Sequence, residues 1–216
     1  LYFDLVASKG VHTTFNAAMI EVLMGVFPNA EEIVFRSETD HGNIVAQKTQ
    51  NKITLKPINF VWSRFIRFSK VRDLLSVFYI VNGILKTSRN DVIYVGIAFP
   101  FTINLLWFVT KLFKRNVYVT LHGEMNYFCK CDSNRLELRL RDKIYFKSMK
   151  FAFSHANKYV TYVLLGKSIY ESVKFVFNKK NAIIVINHPA IFDNKTEIQN
   201  LHNPIRIGQI GATATR

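Results

Sequence analysis

The sequence predicts an α/β fold built on a doubly wound parallel sheet. Short β-branched or aromatic runs alternate with longer segments of helical period, the pattern of repeated strand–helix–strand units. The run Val92-Ile93-Tyr94-Val95-Gly96-Ile97 is apolar throughout and lacks the in/out alternation of a half-solvated strand, as expected where helices cover both faces of a sheet.

Each element follows from its local composition. The aromatic and aliphatic run at 2–7 opens the sheet, and 13–26 carries apolar residues at helical spacing. Strands rich in β-branched or aromatic residues are expected at 32–36, 52–55, 92–97, 117–121, 159–164 and 182–186. Helices are expected at 60–85, 101–113, 135–156 and 168–176, each long enough to span the sheet between two strands. In sheets of this kind ligands bind beyond the carboxyl ends of the strands. Three of the six histidines fall there: His12 after the first strand, His122 after the fifth and His188 after the seventh.

Composition bounds the function. The 216 residues are 49% apolar and 14% aromatic, enough to fill a core and incompatible with a disordered chain. Lys and Arg number 29 against 15 Asp and Glu, a net charge of +14 that calls for an anionic partner: nucleic acid, an anionic membrane face or a phosphorylated substrate. The stretch 48–72 holds basic residues and no acidic one, with Phe60, Trp62, Phe65, Ile66 and Phe68 between the charges. That pattern fits an interfacial helix with Arg64, Arg67 and Lys70 toward anionic lipid, and equally a solvated helix face. A second basic stretch, 111–150, includes Glu137 and Asp142 and reads in part as ordinary paired surface. Zinc-finger spacing, RNP-like strands and a polar recognition helix are all missing, so nucleic acid is not the expected partner. Cys129 and Cys131 are too few for a disulfide scaffold and lack a second pair for zinc. The chain shows no apolar run of membrane-spanning length and no leader peptide; it starts without Met inside a strand, so at least one residue is expected to precede it.

The residues after the strands carry the chemistry. Gly10-Val11-His12 leaves the first strand where a glycine lets a ligand approach the backbone and a helix N-terminus offers N–H groups to an anion; a plain turn with a capping Thr explains it as well. His122-Gly123-Glu124-Met125-Asn126 sets an imidazole and a carboxylate on the turn after a wholly apolar strand, suited to orienting hydroxyls or sharing a proton. Gly166-Lys167-Ser168 is accounted for by a capping box, with Ser168 as N-cap and Glu171 three residues on. Asn187-His188-Pro189 turns the chain out of the sheet. Dinucleotide GxGxxG, Walker A, G-x-S-x-G and H-E-x-x-H patterns do not occur.

The order of these motifs, with Tyr162-Val163-Leu164-Leu165-Gly166-Lys167-Ser168-Ile169, Val185-Ile186-Asn187-His188-Pro189 and Ile205-Arg206-Ile207-Gly208-Gln209-Ile210-Gly211, resembles the amino-terminal half of retaining GT-B glycosyltransferases of family 4. The resemblance spans nearly the whole chain. It implies transfer of a sugar from a nucleotide-sugar donor to a glycan or lipid-linked acceptor in cell-surface polysaccharide synthesis, with retention and without a catalytic metal or other cofactor. It implies His122 as the catalytic residue near the transferred sugar. Gly10, His12, Gly123, Glu124 and Asn126 would form the acceptor and donor loops, Gly211 and Arg216 would meet the donor phosphates, and His188 with Pro189 would mark the interdomain hinge. A cytoplasmic enzyme resting on the inner face of the cell membrane is implied as well. A basic membrane-binding module without catalysis is the alternative.

Domain organisation follows. Residues 1–190 are expected to form a Rossmann-like acceptor-binding domain, 191–203 a polar linker, and 204–216 the first strand and Gly-rich loop of a nucleotide-sugar-binding domain. The family's remaining donor-binding residues would lie beyond Arg216, so the chain alone is expected to be inactive.

Overall fold

The computed structural model describes residues 1–5, 12–58, 69–122 and 140–189. Among them, strands β1 (Tyr2–Asp4), β2 (Val34–Ser37), β3 (Thr54–Leu55), β4 (Ile93–Val95), β5 (Val117–Leu121), β6 (Val160–Leu164) and β7 (Ala182–Val185) join in one sheet ordered β3-β2-β1-β4-β5-β6-β7. Every pairing is parallel. The helices are α1 (Thr13–Val26), α2 (Thr39–Lys48), α3 (Ser69–Lys86), α4 (Pro100–Phe113), α5 (Leu140–Ser154) and α6 (Lys167–Val173), the last continued by a 3-10 turn at Lys174–Val176. The chain winds outward from β1 to β3, then crosses back to β4, so the switch point lies between β1 and β4. This is the Rossmann-like doubly wound α/β architecture that the alternating pattern predicts.

Two cores explain the unbroken apolar strands. Phe3, Ile93, Val95, Tyr162 and Leu164 pack with α3, α4 and α5 on one side of the sheet. Their neighbours Tyr2, Tyr94 and Val163 pack with Phe15, Met19 and Ile20 of α1 and Val45 of α2 on the other. The alternation is present, but both destinations are dry, as in a sheet sandwiched between helix layers. Phe3, Ile93, Val95 and Phe35 are wholly shielded from solvent.

Boundaries differ from the sequence expectation at informative points. Strand β1 ends at Asp4 rather than at residue 7, where its pairing with β2 ends at Ser37. Helix α2 is not expected from the hydrophobic pattern, because Thr39-Asp40-His41-Gly42-Asn43 reads as a turn. It forms because His41 and Val45 are buried and Gly42 packs where a Cβ would lie 2.7 Å from Ser37 Oγ. Asp40 in its first turn and Lys48 in its last complement the helix dipole. Ser168 is not an N-cap: α6 starts one residue earlier, with Gly166 as N-cap at φ 141°. A β-carbon is disfavoured at that angle, so the glycine sets the helix start. Glu171 instead pairs with Lys174 Nζ at 2.6 Å on the surface.

Of the basic stretch 48–72, Lys52 Nζ meets Glu21 Oε1 of α1 at 3.4 Å, an exposed pair between two elements. Residues 59–68 lie outside the described residues. No helix among the described residues is long and apolar enough to cross a membrane.

Candidate functional site

The site is assembled at the carboxyl edge of the sheet, beside the switch point. Helix α1 begins at Thr13, preceded by His12 in the left-handed conformation (φ 62°, ψ 4°). That conformation costs a non-glycine residue about 1 kcal/mol, and His12 is held in it by the first helical turn, whose Asn16 N–H donates to the His12 carbonyl at 2.8 Å. The same turn buries Phe15 and Asn16 against the sheet.

His122 follows β5 directly, and its imidazole reaches sideways to β4. Nε2 lies 3.1 Å from the Gly96 carbonyl oxygen. Only a protonated nitrogen can bond to a carbonyl, so Nε2–H donates and the lone pair of the neutral ring sits on Nδ1. Gly96 has its own reason to lack a side chain, since a Cβ there would stand 2.8 Å from the Tyr2 ring.

Phe15 is the hub. Its ring is 4.8 Å from that of His122, 5.1 Å from that of His188 and 6.2 Å from that of His12, while the His12 and His122 rings are 5.2 Å apart. Three histidines that are 66 to 176 positions apart in sequence therefore face one aromatic side chain. His188 is exposed, with Nδ1 3.1 Å from the Pro189 carbonyl oxygen. Burial pushes the His122 pKa down to about 4, helped by His12 and His188 and opposed by the Gly96 carbonyl and by Asp4. At neutral pH the ring is uncharged.

Beneath this cluster runs a buried polar chain. Tyr2 Oη donates to Asn16 Oδ1 at 2.6 Å. Asn16 Nδ2 donates to Asp4 Oδ2 through a short bond and to His41 Nε2 at 2.9 Å. His41 Nε2 stands 3.7 Å from Asp4 Oδ2. All four side chains are essentially sealed from water. The arrangement uses each group in its natural role: phenol as donor, amide as both donor and acceptor, carboxylate as acceptor. Burial, with Tyr94 and Asp4 nearby, raises the Tyr2 pKa well above its ordinary value and keeps the phenol protonated. Asp4 is thereby fastened beneath the histidine cluster to α1 through Asn16 and to α2 beside His41.

No family model, curated protein or solved structure matches the chain.

The structure brings together His12, His122 and His188, with Pro189 adjoining the last. Gly10, Gly123, Glu124, Asn126, Gly211, Arg216, Arg64 and Arg67 lie outside the described residues, and Lys70 falls in the first turn of α3. Among the described residues no group of three or more His, Cys, Asp or Glu side chains could hold a metal ion. Sequence reasoning misses Asp4, Asn16 and His41. Two of them carry a readable signal: Asp4 interrupts an apolar strand and Asn16 an apolar helix face, and a polar group in such a place needs a buried partner. His41 carries none, because α2 itself is not visible in the pattern.

Proposed function

We propose that this chain is the acceptor-side, Rossmann-like half of a sugar transferase using a nucleotide-sugar donor, and that His122 orients a sugar hydroxyl. The observation that carries the reading is the convergence of His12, His122 and His188 at one end of a parallel sheet, beside its switch point, where ligands of this architecture bind. Support comes from chemistry suited to a neutral polyol. Aromatic rings pack against the apolar faces of sugars, and the uncharged imidazole of His122 can exchange hydrogen bonds with hydroxyls without the desolvation cost of an ion.

With a pKa near 4, His122 is too weak a base to take a proton from a hydroxyl at pH 7. Its role is therefore to position a hydroxyl with its uncharged ring, which the Gly96 carbonyl fixes through Nε2. The left-handed turn at His12 and the start of α1 face the same space and suit a phosphate or a hydroxyl.

The test is transfer of labelled sugar from a panel of nucleotide-sugars to lipid-extracted acceptors, by the chain together with the donor-binding half that this reading requires. His122→Ala is expected to lower turnover at least about tenfold, the loss of one well-placed hydrogen bond, while the protein stays folded. Absence of transfer from every donor, or unchanged turnover in the variant, overturns the reading.

A further inference from the structure

The face of the molecule formed by α4 and α5 is neither part of the site nor covered by another described element. The two helices lie side by side, tied by Asn104 to Ser148 and by Trp107 Nε1–H to the His155 carbonyl at 3.1 Å. Along them Phe101, Phe108, Leu112, Ile144 and Phe151 are turned outward, Leu112 with 74% and Ile144 with 57% of its surface in solvent. Phe108 stacks on Phe151 across the helix pair, with centroids 5.7 Å apart and planes at 16°. Isolated exposed apolar residues are ordinary, but five on two adjacent helices with an inter-helix stack form a patch that water does not favour.

Charge decides what covers it. Lys111, Lys143, Lys147 and Lys150 are exposed on the same two helices. Asp142 is the only acidic residue in either helix sequence. Lys111 Nζ lies 4.6 Å over the Trp107 ring and Lys150 Nζ 5.8 Å from that of Phe146, so positive charge sits directly against aromatic surface on this face. Lysine is depleted at protein interface cores, and a second copy would bring an equally positive face. Aromatic and aliphatic residues flanked by lysines are instead the chemistry of an anionic lipid surface, with rings in the headgroup boundary and ammonium groups on the phosphates.

We infer that the α4–α5 face is a docking surface for an anionic bilayer. This inference does not depend on the sugar-transfer reading. Both helices start at the carboxyl edge of the sheet, the edge on which His12 and His122 lie.

The test is co-sedimentation of the full chain with vesicles of phosphatidylcholine containing about 30% phosphatidylglycerol, against phosphatidylcholine alone, at low and high salt. Binding is expected only with the anionic lipid and is expected to weaken with salt. Each lysine near such a surface is worth about fivefold, so Lys147→Glu/Lys150→Glu is expected to lower affinity by more than about twentyfold. Phe108→Ser/Leu112→Ser is expected to lower it about tenfold or more, with an unchanged circular dichroism spectrum. Absence of binding at low salt, equal binding to neutral vesicles, or wild-type binding by both variants overturns the inference. So does a dimer dispersed by Phe108→Ser/Leu112→Ser without lipid binding, or oligonucleotide binding that outcompetes the vesicles and ignores the Phe108 change.

Discussion

The imidazole of His122 stands edge-on to the ring of Phe15, with centroids 4.8 Å apart and planes at 72°. One residue directly follows β5 and the other lies in the first turn of α1, so the contact joins the two halves of the sheet across its switch point. Burial around this contact, not the contact itself, keeps the His122 ring uncharged at neutral pH.

That coupling makes folding sensitive to acid. His122 titrates near pH 4 in the folded protein and near its ordinary value of about 6.5 when unfolded. Above about pH 6.5 neither state binds the proton. Between about 6.5 and 4 the unfolded chain binds it and the folded one does not, so stability falls as pH falls, and the loss is complete below about pH 4. The penalty is of the order of 1–3 kcal/mol. Urea unfolding of wild type and His122→Gln at pH 7.5 and pH 4.5 is expected to show the variant gaining on wild type at the lower pH. A pH-independent difference between them would show that the ring is not desolvated.

Asn16 is the joint of the buried polar chain, and Asn16→Leu removes partners from Tyr2, Asp4 and His41 together. Leaving buried polar groups short of a partner costs about 1–3 kcal/mol each, more where a charge is involved, so a loss of about 3–5 kcal/mol is expected in chemical denaturation. Combining it with Asp4→Asn is expected to cost less than the two single changes added, because the carboxylate no longer needs the amide. Strict additivity would show that the two groups act separately.

Gly96→Ala tests the packing beneath His122. The new methyl would stand 2.8 Å from the Tyr2 ring and 2.9 Å from its hydroxyl, and that ring is buried on every side. Overpacking of this kind costs about 1–3 kcal/mol. A lowered Tm is expected, along with a shifted His122 titration, as the Gly96 carbonyl moves. An unchanged Tm would mean that Tyr2 has room to move aside.

How much was legible varies by element. Strand β5 at Val117–Leu121 and helix α1 at Thr13–Val26 match the sequence expectation residue for residue, because each is a pure run of one period. The positions of His12, His122 and His188 were legible for a topological reason: a parallel sheet gathers all its carboxyl ends on one edge. Helix α2 was hidden because turn-forming residues fill its first turns, and only burial of His41 and Val45 holds them helical. Helix α6 starts one residue earlier than expected, since the left-handed-side φ of Gly166 outweighs the capping preference of Ser168.

By itself, then, the sequence determined the class of fold, the seven parallel strands of the described residues, and the sheet edge on which His12, His122 and His188 gather. Period and composition are local properties, and parallel pairing follows from the helices between the strands. Only the tertiary structure decided that Phe15 would stand among three imidazoles, that Asp4, Asn16, Tyr2 and His41 would close one buried chain, and that Phe108 would stack on Phe151 in solvent. Those contacts join residues from different elements at distances of a few ångströms. They depend on how far each helix slides and rotates over the sheet, which side-chain volume and the partnering of buried polar groups fix, and no local pattern records.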